Sequence, residues 1–378
     1  MRKSAKNLAS QQENKAVDRN VVPVINEYGL IQLNLAHKNI EYLNDELINY
    51  RKLQILILAN NRITVLSNKI GNLKRLKLLD CSNNKLYIIP DSIANCTDLV
   101  ELHLQSNRLN KIPAKVTSLI HLRILKIDDN LLESLPPSFG NLGQLRRLEL
   151  SKNGLYYLPD SLVNLEELTF LELSQNVFVN FPPQILGLKK LEVLKMSGNK
   201  IDSLPVDMSY LKKLKKIDLS VNKFTRFPAS LCDLKCLEQL NLSNNQLTTL
   251  STRLAKLTRL IELNISNNAL THLLDNLPII EYLDVSTNDL RHLSVTNMKN
   301  LKVLHVSQNR LVEVPDGFYD LQALEDADLS SNKIIYLSQD IGSLRSLISL
   351  NLSNNRLKLV PRCLYDMPKL KNLVLKGN

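Results

Sequence analysis

An asparagine returns every 23 residues, at 61, 84, 107, 130, 153, 176, 199, 222, 245 and 268. The spacing falls to 20 at Asn288 and 21 at Asn309, then returns to 23 for Asn332, Asn355 and Asn378. Lys38 holds the same position in an imperfect first unit. About sixteen units therefore run from about residue 30 to residue 378. A chain with so long a fixed period folds as a stack of like coils, each burying its apolar face only against its neighbours.

Within one unit, residues 145–167 for example, Leu148 and Leu150 alternate with polar residues, the period of a half-buried strand. In the second half Leu158, Leu162, Leu165 and Leu168 recur at three or four, which suits a helical or 3₁₀ return segment with one buried stripe. Proline opens that segment in nine units, from Pro90 to Pro361, where no N–H partner is needed. Strands stack at about 4.8 Å while helical segments need about 10 Å, so the stack must bend with its parallel sheet inside. The repeating Asn falls where strand turns into return segment, and its amide can donate and accept to otherwise buried turn backbone. Ten consecutive units place Ser two residues before it, a small residue suited to a tight strand end. The units after Asn268 and Asn288 are short and lack LPxxI, so their return segments are expected to be tighter and less helical.

The unit LPxxIxxLxxLxxLxLxxN resembles the leucine-rich repeat family, and within it the intracellular Ras-group class of erbin and scribble type. The resemblance spans residues 30–378. It implies an α/β right-handed solenoid, or horseshoe, with an inner parallel β-sheet. It also implies a non-enzymatic scaffold whose concave sheet binds another protein, in small-GTPase or phosphatase signalling. Residues 1–29 are expected to form a flexible basic head and N-terminal cap.

The other classes leave little trace. Apolar residues at 44% support a large core, and 48 basic against 37 acidic side chains give a net charge of +11. There is no 18-residue apolar run for a transmembrane helix and no apolar segment behind the basic start for a secretory signal. No catalytic signature stands apart from the repeat grammar, and no cofactor is expected. His272 and His292 recur four residues after the Asn in neighbouring coils, and Cys232 and Cys236 lie four apart. Neither pair has the further ligands a metal needs. Five scattered cysteines without a terminal cluster favour reduced thiols and a cytoplasmic location. Three of the four N-x-S/T sequons, at Asn241, Asn264 and Asn351, fall on strands where a glycan would cover the inner face.

The inner-face positions lie four and six residues before each Asn. Framework packing does not require apolar residues there. Yet Ile55, Ile57, Leu78, Ile124, Phe170 and Val193 are apolar, and Arg147, Glu149, Glu172 and Lys195 are set among them. An apolar strip rimmed by mixed charge is what a protein interface looks like, so these ten residues are the expected partner-binding set, with Phe170 its anchor. Asn264 and Asn351 are the matched control positions in the C-terminal half. Two other readings stand beside this one. One is an auxiliary or targeting subunit of an enzyme; the other is an anionic-surface binder through residues 189–226, where ten Lys or Arg face four acids. Aromatics at 5% argue against nucleic acid. The chain stops directly after its sixteenth strand, which suggests a truncated product or association through an uncapped C-terminal edge.

Overall fold

The computed structural model describes residues 22–378 except 44, 46, 274–276 and 278–279. Of the basic head and cap expected over residues 1–29, residues 1–21 lie outside the described residues. The chain divides into two compact units that part between Leu168 and Thr169.

In the first unit, Val24–Ile25 pairs antiparallel with Ile31–Asn34, and every later pairing is parallel. The parallel strands that follow are Ile55–Ile57, Leu78–Asp80, Glu101–His103, Ile124–Lys126 and Arg147–Glu149. Their register follows the repeat, so Leu56, Leu79, Leu102, Leu125 and Leu148 stand opposite one another. The second unit continues the pattern from Phe170–Glu172 to Asn372–Val374, again parallel and in register. The stack of like coils with an inner parallel sheet, expected from the period, is therefore the observed architecture, and it fits the solenoid that the resemblance implies.

The return segments are 3₁₀ turns of three to five residues, such as Asp91–Asn95 and Asp160–Asn164. Six of the nine prolines stand directly at the entry of such a turn. Proline fits because its fixed φ matches the extended entry residue and the position needs no donor. Between Tyr282–Asp284 and Val303–His305 there is no 3₁₀ turn, as the shortened spacing there requires. The leucines of strand and return segment close into one layer per coil, and Leu148, Leu150, Leu155, Leu162, Leu165 and Leu168 are fully buried. Each such side chain contributes about 1.5–3 kcal/mol by leaving water.

The repeating Asn joins one coil to the one before it. Asn84 Nδ2 donates to the carbonyls of Leu58 in the preceding coil at 2.9 Å and of Cys81 in its own at 3.1 Å, and its Oδ1 accepts from Ile63 N–H at 2.9 Å. The bonding recurs at Asn130, Asn222, Asn245 and Asn355. It survives the shortened coil as well: Asn288 accepts from Leu270 N–H at 2.9 Å and donates to Ile265 C=O at 3.1 Å.

The residue just before each Asn has a left-handed backbone. Asn60, Asn83, Asp129, Asn244, Asn267 and Asn354 suit it, as does Gly198 at φ 69°. Val221 does not: it takes φ 53° although its branched Cβ disfavours that region. Its side chain is 52% exposed, so no packing repays the strain. Val221→Asn keeps the N–H that bonds to Ser243 C=O and relieves the conflict. We expect a gain of about 1 kcal/mol, read as a rise in melting temperature. An unchanged or lowered melting curve would show that the conformation costs nothing here.

Candidate binding face

Alternate strand residues point away from the leucine layer and make the open face of each unit. The side chains are held there by register, since Cα partners recur at the strand spacing and neighbours cover one another's flanks. For that reason the expected apolar residues Ile55, Ile57, Leu78, Ile124, Phe170 and Val193 are half-buried instead of fully exposed.

In the first unit Ile55 stands opposite Leu78, with Ile57 beside them on the same strand as Ile55, forming one apolar cluster. The strip does not continue. Leu78 is next flanked by Glu101, and Ile57 by Asp80, which is followed by His103. Ile124 lies beyond Glu101 and is bordered on its far side by Arg147. Arg147 Nε donates to Glu149, which also lies 3.9 Å from Lys126 Nζ. Arg147 and Glu149 are thus engaged with each other on a single strand, and Lys126 joins them from the next.

A polar cluster that sequence reasoning did not select fills the gap. His103 Nε2 lies 3.2 Å from Glu101 Oε2 but off the hydrogen-bonding direction, and the atom is buried. Burial depresses the His103 pKa, against the pull of Asp80 and with a further push from Lys126, so the ring is neutral near pH 7. Asp128, in the column usually held by Ser, accepts from Ser151 N–H at 2.7 Å and Ser151 Oγ at 2.8 Å. Burial pushes its carboxyl up to about 6; the bonds from Ser151 oppose this and nearby Glu149 adds to it.

In the second unit Phe170 stands opposite Val193, and Glu172 opposite Lys195. Lys195 Nζ lies 3.3 Å from Glu172 Oε2 and 5.5 Å above the centre of the Phe170 ring, a cation–π contact that fixes the edge of this patch. Further along the same face a shallow depression is lined by Lys216, Gln239, Glu262 and Tyr282. The Tyr282 ring meets His305 edge-on at 5.9 Å. None of these four stood out in sequence, because each is an isolated polar or aromatic residue 20 to 23 positions from the next.

The column four residues before each Asn has a structural task. Asp80, Asp218, Asn241, Asn264, Asp284 and Asn351 each accept the backbone N–H of the Ser two residues on, at 2.9–3.1 Å. Glu172 does the same for Ser174 at 3.0 Å. Asn264 and Asn351 are therefore unsuited as neutral controls, since truncating them orphans a donor at the strand end.

The other candidates are engaged elsewhere. His292 pairs with Asp316 at 3.0 Å, and His272 contacts Thr271 Oγ1 at 3.1 Å. Among the described residues no group of three or more His, Cys, Asp or Glu is arranged for a metal. All five cysteines are free thiols. Burial raises the pKa of Cys96 to about 12 and of Cys232 to about 11, which removes their nucleophilicity at neutral pH. Among the described residues no helix is long and apolar enough to cross a membrane.

Comparison with known proteins agrees with this geometry. Residues 168–292 match a leucine-rich repeat region, and residues 51–109, 120–178 and 328–378 match leucine-rich repeats. A leucine-rich repeat protein of Leptospira interrogans is 33% identical, with 92% of this chain and 90% of that one covered and a TM-score of 0.89. An internalin of Listeria monocytogenes shares the fold at 22% identity, 84% and 85% coverage and a TM-score of 0.67. So does the ectodomain of an Arabidopsis thaliana receptor kinase in complex with Casparian strip integrity factor 2, at 22% identity, 94% and 51% coverage and a TM-score of 0.62. No match is found among curated proteins.

Asp128 makes the stability of the first unit depend on pH. Its folded-state pKa of about 6 lies above the ordinary 3.8, so its protonated form favours folding. That contribution is complete below the unfolded value and is lost as pH rises through the folded one. Asp128→Asn still offers Ser151 an acceptor and never ionises. It should melt several degrees above the wild type near pH 7.5 and show no gain near pH 4, measured by circular dichroism. An equal gain at both pH values would assign the effect to packing instead of ionisation.

Proposed function

The chain belongs to the leucine-rich repeat family, and from that premise we propose that it is a non-enzymatic scaffold that captures another protein on the open face of its strands. One observation carries the reading. Ile55, Ile57 and Leu78 form a half-buried apolar cluster at positions that the repeat leaves free, while the leucine layer beneath is complete without them. Such a cluster, rimmed by Asp80, Glu101 and His103, has the composition of an interface core and its polar border. In the second unit Phe170 beside Val193, with Lys195 and Glu172 at its edge, has the same make-up.

The finer placement rests on the repeat consensus and the thiols. The Ras-group likeness of the LPxxIxxLxxLxxLxLxxN unit favours a partner in small-GTPase or phosphatase signalling. Five free cysteines favour the cytoplasm. The sequon residues Asn241 and Asn264 stand side by side in register on adjacent strands, where glycans on both would crowd one another and cover the open face.

The test uses a partner isolated on the wild-type chain and titrated calorimetrically against variants. Leu78→Ala and Phe170→Ala, made separately, should each cost about 2 kcal/mol of binding, the usual loss at an interface anchor. Ser349→Ala with Val303→Ala, at open-face positions in the C-terminal coils, should change it by less than about 0.5 kcal/mol. Capture abolished by the control pair and untouched by both anchors would place the site elsewhere.

A further inference from the structure

The return edge of the second unit carries charge that the repeat does not require. Between the 3₁₀ turn and the strand, the pattern Leu-x-x-Leu leaves two side chains outside the core. The same backbone bond sets this corner in three coils: Lys189 N–H to Gly187 C=O at 3.0 Å, Lys212 to Tyr210 at 2.9 Å, and Thr258 to Lys256 at 2.9 Å. In four consecutive coils the two positions read Lys189–Lys190, Lys212–Lys213, Lys235–Cys236 and Thr258–Arg259, with no acid among them. Lys189, Lys212, Lys213, Lys235 and Arg259 are exposed. The ladder runs on one residue before the strands, through Lys215 N–H to Glu192 C=O and Glu238 N–H to Lys215 C=O, so the backbone of adjacent coils is joined directly beside these cations. The carboxylates Glu192 and Asp233 on this edge are held by Lys215 and Arg253, each at 2.8 Å. In the first unit the same positions begin with Arg51–Lys52 and Lys74–Arg75 and end with Glu166–Glu167, so the corner accepts either sign.

A second feature lies beside the ridge. The turn that leads into Lys212 and Lys213 exposes Val206 at 81% and Tyr210 at 57%, while Met208 between them is buried. Val206 takes the place held by Asp91 and Asp160 after the prolines of other coils. Neither side chain supports the core. Cations flanking a protruding Val and Tyr match a headgroup surface, where lysines are drawn by anionic lipid and amphipathic rings settle at the interface. Single-stranded nucleic acid would instead call for several stacking rings along the ridge, and this ridge has one.

We propose that the return edge of the second unit, centred on Val206, Tyr210, Lys212 and Lys213, docks on anionic lipid bilayers. This surface is separate from the open face that captures protein, so the chain can sit on a membrane with its strands available.

The experiment is co-sedimentation of the full chain with phosphatidylcholine vesicles, with and without about one third phosphatidylserine. Retention is expected only on the anionic vesicles, and it falls as salt screens the charges. Each lysine near such a surface is worth about fivefold, so Lys212→Gln with Lys213→Gln should weaken retention about 25-fold. Val206→Ser with Tyr210→Ser should weaken it several-fold at unchanged charge, with circular dichroism showing an intact fold. Lys299→Gln, at the same corner of a later coil, should leave retention unchanged. Phe170→Ala should also bind vesicles as wild type does, so loss of protein capture and loss of docking are told apart. The proposal is overturned by no retention at low salt or by an equal loss with Lys299→Gln. It is also overturned if single-stranded RNA binds more tightly than the vesicles at the same salt, which would make the ridge a nucleic-acid surface.

Discussion

The fold depends on a side-chain amide that stands in for missing backbone partners. Where each short strand turns into its return segment, the backbone ladder to the next coil runs on through alternate residues, as from Gln175 N–H to Ser197 C=O, but it leaves other N–H and C=O groups of the corner buried without a backbone partner. Asn199 shows how this is met. Its Nδ2 donates to Leu173 C=O at 3.1 Å and Met196 C=O at 3.0 Å, and its Oδ1 accepts from Phe178 N–H at 3.1 Å. Two coils are joined by one buried residue that is neutral and can both donate and accept. Aspartate cannot donate and leucine can do neither, so the position tolerates little else. The leucine layer supplies most of the free energy, but it is non-directional; the amides fix how one coil sits on the last.

That division of labour frees the opposite face. Because the corner bonds and the leucines hold each coil, the outward strand positions carry few framework duties, and there the sequence varies from coil to coil. The freedom is incomplete. The column four residues before each Asn caps the strand end in many coils, with Asp or Asn accepting from the Ser two residues on, as at Asp218 and Ser220. The column six residues before is the less constrained one, and it holds Ile55, Leu78, Ile124, Phe170 and Val193. Likewise the return edge must keep its leucines but can hold any solvated residue at the corner, which lets charge collect along one side.

Much of this was legible from periodicity alone. Strands, 3₁₀ returns opened by proline, the Asn bridge and the tighter coil after Asp284 all follow from apolar spacing and from which residue types satisfy a buried turn. The left-handed residue before each Asn was not read, although a column holding Asn60, Asn83, Asn244, Gly198 and Gly377 carries that signal. Val221 and Thr287 in the same column conceal it, since local propensity yields to the tertiary bonds of the corner. The binding face was legible as a set of positions and not as a surface. Reading columns down the repeat made Leu78 and Ile124 look continuous, whereas Glu101 on the strand between them separates the two. The ion pairs of Glu149 with Arg147 and Lys126, and the seat of Lys195 over Phe170, depend on side-chain reach, which spacing does not encode.

The claim that each Asn fastens its coil to the preceding one is tested most directly by amide hydrogen exchange in Asn199→Ala. The substitution removes the acceptor of Phe178 N–H and strands the carbonyls of Leu173 and Met196. If the account is right, protection falls first at Phe178 and its neighbours, one coil before the mutated residue, while coils beyond Asn245 keep wild-type protection. Exchange that quickens only around residue 199 itself, or nowhere, would contradict it and leave the leucine layer and the backbone ladder as the ties between coils.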